Sequence, residues 1–210
     1  MMLRDAVSDR KAGIAGLIGV MTTIVTVTVP LYLFDGFDWA QHDLSTLGHI
    51  DVTYNYVFNG GLVVTALFGL VFAIGLFHVE DRQAWQAGSV VYAIAHLSVI
   101  WQAVFPAGTP EHNWLSIFPF FAGALLLLGI DQVRIPQTRL WGIVILTNLF
   151  VGLLAAGLIA QTDISGWAIH ETLGVTVFAL VTLLYAMRML DVAALGGDTT
   201  LEESVSKPAQ

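Results

Sequence analysis

The chain has 210 residues, 56% of them hydrophobic and 11% charged, far below the roughly 25% charged residues of soluble domains. Mean hydropathy is +0.76, and the formal net charge of −8 lacks the basic surface that a nucleic-acid partner requires. Cysteine is absent, which excludes disulfide frameworks, thiolate metal sites and cysteine nucleophiles.

Taken in chain order, the sequence predicts six transmembrane helices. A helix needs about 20 apolar residues to cross the hydrocarbon layer, and apolar runs of that length recur six times. Span one is Ala12–Phe34, with Pro30 near its end. It exceeds the 7–15-residue apolar core of a signal peptide and lacks a small-residue cleavage site, so it reads as a retained span. The connection Asp35–Tyr54 is long and polar. Span two is Tyr56–Val79, followed by the short turn Glu80–Trp85, and span three is Gln86–Pro106. The turn Ala107–Asn113 contains Gly108, Pro110 and Asn113, all turn formers. Span four is Trp114–Ile130, the loop Gln132–Thr138 is centred on Pro136, and span five is Leu140–Ala160. The turn Gln161–Gly166 leads to span six, Trp167–Leu190. The fold class is therefore all-α, a six-helix transmembrane bundle formed by residues 1–190. The tail 191–210 is acidic, lacks apolar periodicity and is expected to be disordered.

Cations orient this bundle. Arg4, Arg10 and Lys11 precede span one, Arg82 follows span two, Arg134 and Arg139 follow span four, and Arg188 and Lys207 close the chain; the other three connections have none. Lys and Arg are retained in cytoplasmic loops, so both termini are expected inside, in a multi-pass cell-membrane protein. Asp35, Asp38, Asp43, Asp51, Glu111, Asp163 and Glu171 then lie outside. The aromatic residues fit the same map. Trp39, Trp101, Trp114 and Trp167 fall at the outer boundary with Tyr32, Tyr54 and Tyr56; Trp85, Trp141 and Tyr185 fall at the inner one. Amphipathic rings favour those levels. Small residues such as Gly13, Gly16, Gly19, Gly60, Gly61, Gly69, Gly152 and Gly157 allow close helix approach, within one chain or in a homo-oligomer. Two Lys against six Arg, with an isoelectric point near 4.9, is a salt-adapted, archaeal-like composition.

Two groups of polar residues are candidates for function. At mid-membrane, His96 lies one turn after Tyr92 and two after Ser89, on one face of span three. Intramembrane ionisable residues are costly and point to function. The competing account is a neutral imidazole hydrogen-bonded across helices, with Asn148 of span five as an example partner. His96, Tyr92, Asn59 and Asn148 are the candidate ligand-binding residues. At the outer face, WAQHDLSTLGHID supplies His42, Asp43, Ser45, Thr46, His49 and Asp51; the next turn adds Glu111 and His112; span six opens WAIHETLG with His170 and Glu171. His42, His112 and His170 are candidate metal ligands, with Asp43 or Glu171 as catalytic base, because His and carboxylates suit a zinc site that activates water. His170-Glu171 lacks the second His of a HExxH helix, and a hydrated rim accounts for the same inventory, with Asp43 and Ser45 as helix-cap residues. The pattern W-A-x-H-[DE] occurs twice, at Trp39–Asp43 and at Trp167–Glu171.

The order Asp43-Leu-Ser45-Thr-Leu-Gly48, then Phe58-Asn59-Gly-Gly61, then Phe105-Pro106 with His112 shortly after, resembles the multi-pass membrane family catalogued as domain of unknown function 998. The chain is more distantly similar to the Frag/DRAM/Sfk membrane proteins, some of them linked to lipid remodelling or phosphoinositide control. The resemblance implies a membrane bundle and carries over no activity and no functional residue. The family's last outer turn leads into Gly-x-x-polar-Arg, whereas this chain has Gly166-Trp-Ala-Ile-His170-Glu171.

Three functions remain open on these residues. The first is lipid-headgroup binding without catalysis. The second is metal-assisted lipid hydrolysis or transfer at the outer leaflet, and the third a proton-coupled carrier centred on His96. A retinal Schiff base is excluded, because neither Lys11 nor Lys207 lies in mid-span. No cofactor is identifiable; membrane lipids are the expected partners.

Overall fold

The computed structural model describes residues 7–205, with side chains to residue 190. Among the described residues all regular structure is helical: α1 (Asp9–Leu33), α2 (Asn55–Val79), α3 (Gln83–Val104), α4 (Phe118–Val133), α5 (Arg139–Ile159) and α6 (Ala168–Val205), with 3-10 turns at Leu44–Gly48 and Pro110–Trp114. Six segments are long and apolar enough to cross a membrane, the fourth being Pro110–Val133 and the last Ala168–Leu190. The tail expected at 191–210 lies outside the residues described in full.

Each helix is apolar around its circumference rather than along one stripe, as suits a segment that contacts neighbours on one side and lipid on the other. α1 begins where Ser8 Oγ accepts the Lys11 amide, at 3.4 Å. Pro30 stays inside α1, and its carbonyl still accepts the Phe34 amide at 2.9 Å, so the helix continues past it. The fourth helix starts at Phe118 rather than at Trp114, because Pro110–Trp114 winds as a separate 3-10 turn. Pro119, in the first helical turn, has no amide hydrogen to leave unsatisfied there.

α1 packs against α2 and α6, α2 against α3, α3 against α4, and α4 against α5, whereas α5 touches α6 only lightly. The ring of helices is thus loosely closed along one seam. Asn148 Nδ2 crosses it, donating to Val177 O at 3.0 Å. The main core gathers Phe72, Leu76, Trp85, Tyr92, Leu125, Leu128, Phe178 and Tyr185. A smaller one, Leu44, Leu47, Phe58 and Ala168, holds the first loop down on the bundle.

Two aromatic expectations change. Trp85 is 1% exposed and donates its indole N–H to Leu76 O, so it is a core residue; Tyr185 is likewise buried. Their positions near a helix end do not determine which side they face. Trp39, Trp114 and Trp167 are exposed.

Candidate functional site

The two W-A-x-H-[DE] segments meet at the histidine-rich end of the bundle. Ala40 O accepts the amides of Ser165 and Gly166 at 3.0 and 2.8 Å, and Ala168 N donates to His42 O at 3.0 Å. Asp43 Oδ1 accepts the Trp167 amide at 2.8 Å, opening α6, while Glu171 Oε2 accepts the Leu44 amide, opening the 3-10 turn. Each acidic residue thus caps the helix of the other segment, satisfying an orphan N–H. Asp43 does not bond within the 3-10 turn it precedes; its oxygen is directed to α6. Gly166 is required for this contact, since a Cβ there would overlap the backbone of Gln41 and His42.

This junction shapes a cavity of about 560 Å³ at the same end, lined by Asp43, Ser45, His49, Gln102, His112 and Glu171 among others. Through Ser116, Phe118 and Trp167 it adjoins a second cavity of about 490 Å³. That one is an apolar groove walled by Phe118, Phe121, Leu149, Leu153, Leu173 and Phe178, in the loosely packed seam between α4, α5 and α6. Below the first cavity, a slot of about 70 Å³ past Thr23, Asn59 and Thr65 leads to a space of about 90 Å³ beside Tyr92, His96 and Thr182.

The candidate residues are distributed unevenly around these spaces. His112 Nδ1 lies 2.9 Å from Phe105 O; a carbonyl only accepts, so Nδ1 carries the proton. His42 Nδ1 accepts the Asp38 amide at 3.0 Å, and its ring packs on Phe34 and Phe37, away from the cavity walls. His170 lines the apolar groove against Trp167, and both of its ring nitrogens are buried without a partner. Among the described residues, no group of three or more His, Asp or Glu is arranged to hold a metal ion. His42, His112 and His170 therefore sit in three different surroundings. Asp43 and Glu171 do share a cavity, with the carboxylate oxygens named above engaged by backbone N–H groups.

At mid-membrane, His96 Nδ1 donates to Tyr92 O at 3.0 Å, and Tyr92 Oη pairs with Thr182 Oγ1 at 2.8 Å. The His96 ring stacks on Tyr92 and lies against Gly69, where any Cβ would overlap the imidazole. Asn148 does not reach His96; its amide is committed to Val177 O. Asn59 Nδ2 donates to Gly48 O at 2.9 Å and ties the 3-10 turn to α2. The four candidate ligand-binding residues thus fall in three places.

One cluster had no prominence in the sequence. Arg82 donates through Nε and Nη2 to Asp131 Oδ2, at 2.9 and 2.6 Å, and through Nη1 to Glu80. The hydrogen bond to Asp131 holds the guanidinium pKa above its ordinary value. Asp131 is 5% exposed. Its neighbour Gln132 is fully buried and accepts from Arg188 Nη1 at 3.3 Å. The available signal was an acid at the end of an apolar run, two loops from an isolated Arg.

The family model described as protein of unknown function (DUF998) matches residues 17–130. The chain belongs to this family. The DUF998 segment runs from within α1 to most of α4, and so includes Asp43, Ser45, His49, Gln102 and His112 of the first cavity; Trp167, His170 and Glu171 lie beyond it. No curated protein and no solved structure matches the chain.

Proposed function

We propose that this protein binds an amphiphile of the outer membrane leaflet, with the polar end in the vestibule formed by Asp43, Ser45, His112 and Glu171 and the hydrocarbon chain in the groove between α4, α5 and α6. The single observation that carries the reading is the shared wall, Ser116, Phe118 and Trp167, between a polar cavity and an apolar one. A polar compartment opening onto an apolar slot of several hundred Å³ has the layout of a site for a molecule with one wet end and one greasy end. The side of the membrane follows from the cations. Every connection at the opposite end of the bundle contains Arg or Lys and none at this end does, which assigns this end to the outside.

Catalysis has less support. The Asp43 and Glu171 oxygens that accept backbone N–H groups are occupied as caps, and His42, His112 and His170 do not converge. The reading is tested by extracting the protein in mild detergent and weighing co-purified lipid by mass spectrometry. About one lipid per chain is expected, and Ala156→Trp, which fills the groove, should remove it. Lipid retained equally by this variant and the wild type would defeat the proposal.

A further inference from the structure

Beneath the vestibule, the smaller spaces form one line toward mid-membrane. Ser45, Gln102, His112 and Glu171 border both the vestibule and the slot of about 70 Å³. Thr23, Leu62, Thr65 and Val175 border both the slot and the space of about 90 Å³, and Ile117 borders all three. Along α2 the line extends from Asn59 to Gly69, about 15 Å at the rise of an α-helix. It stops there. Beyond Tyr92, toward the arginine-rich end, Phe72, Leu76, Trp85 and Leu128 are each no more than 1% exposed.

The hydrogen-bond inventory at the inner end is one-sided. His96 Nδ1 donates to Tyr92 O, so in the neutral ring Nε2 carries only a lone pair. The hydroxyl hydrogens around it are committed: Thr23 Oγ1 donates to Gly19 O at 2.8 Å, Thr65 Oγ1 to Thr22 Oγ1 at 3.1 Å, and Thr182 Oγ1 to Phe178 O at 2.9 Å. Tyr92 Oη is therefore the donor in its pair with Thr182 Oγ1. No donor is left for Nε2. Among the described residues no protein group bonds to this nitrogen, yet it is not sealed from solvent as both unpartnered His170 nitrogens are. Its accessible surface lies inside the bundle, on the ring edge over Gly69, which is itself a wall of the inner space.

A buried acceptor without a donor is costly. An alkyl chain cannot donate. Water can, and about 10–15 Å³ of such space holds one molecule, so the inner space has room for several. The Thr23 and Thr65 oxygens retain lone pairs that such waters can also meet.

We infer that the slot and the space below it are a water-filled half-channel, open at the vestibule and closed toward the cytoplasm, whose innermost water donates to His96 Nε2. This gives the mid-membrane imidazole contact with the outer medium only. Polar groups facing a hydrated interior at this depth mark pathways for ions and protons. The inference does not depend on what occupies the groove between α4, α5 and α6.

The absence of cysteine permits a direct test with single-cysteine variants of the full chain in detergent, using the silver ion as probe. Silver needs water to reach a thiol, and a thiol in apolar surroundings is inert. Ser45→Cys, Thr65→Cys and His96→Cys should each react at least tenfold faster than Leu76→Cys, read as loss of maleimide labelling after denaturation. Adding Ile117→Trp, which obstructs the slot, should slow Thr65→Cys at least tenfold and leave Ser45→Cys reactive, which also reports that the variant is folded. In protein labelled with ¹⁵N-histidine, the His96 Nε2 resonance, identified by its loss in His96→Cys, should lie upfield of an unbonded imidazole acceptor. Thr65→Cys and His96→Cys no more reactive than Leu76→Cys would mean a dry space and overturn the inference. So would equally fast reaction at Leu76→Cys, which would open the inner end, or an Nε2 resonance at the unbonded position.

Discussion

Asp43 and Glu171 occupy equivalent places in two short segments of the same pattern, and each uses its carboxylate on the other's backbone. A capping residue replaced by alanine ordinarily costs about 1 kcal/mol, and two caps that close one junction are expected to be coupled. Asp43→Ala and Glu171→Ala should therefore each lower stability by about 1 kcal/mol in detergent thermal unfolding, with the double variant losing less than the sum. Strict additivity would show that the two segments hold independently. The recurrence of W-A-x-H-[DE] was visible in the sequence, but its meaning was not, because a cap reads as a cap for the helix that follows it. Only the folded chain directs Asp43 to Trp167, 124 residues away. His96 illustrates the opposite case. Its placement on one face with Tyr92 followed from helical spacing, whereas its partner turned out to be the backbone of its own helix rather than Asn148.

Among the elements, α3 and α4 are joined at the arginine-rich end by Arg82 and Asp131. The carboxylate side chain is 6% exposed and the Arg82 side chain 33%, so the pair is buried on one side and open on the other. Removing only the cation strands a buried charge, which costs roughly 3–5 kcal/mol for a fully enclosed pair. Because the guanidinium is partly solvated, about 2 kcal/mol is expected here. Arg82→Ala should lower the thermal midpoint, and adding Asp131→Leu should recover most of the loss, since an apolar pair needs no counter-ion. A double variant no more stable than Arg82→Ala would mean that the ion pair itself, rather than the unpaired acid, governs this contact. The weak α5–α6 contact has the opposite character. Little besides Asn148 and its acceptor Val177 O spans the seam, and the groove opens there.

For the whole molecule, the absence of cysteine provides a clean measurement of orientation. In intact cells, single variants Asp51→Cys and Asp163→Cys should react with a membrane-impermeant maleimide, while Arg82→Cys and Arg139→Cys should react only after permeabilisation. Labelling of Arg82→Cys from outside would invert the bundle and, with it, the leaflet assigned to the groove. The number and extent of the crossings were within reach of the sequence, because a run of about 20 apolar residues has few other stable solutions in a chain this poor in charge. The faces of those helices were not. A spanning helix is apolar toward lipid and apolar toward its neighbours, so hydropathy offers no stripe to separate the two sides. Trp85 and Tyr185 were accordingly placed at the rim by their position along the chain and found in the interior. The cavities, the reciprocal caps and the unpartnered imidazole of His170 arise where separate helices are brought together, and packing in three dimensions alone decided them.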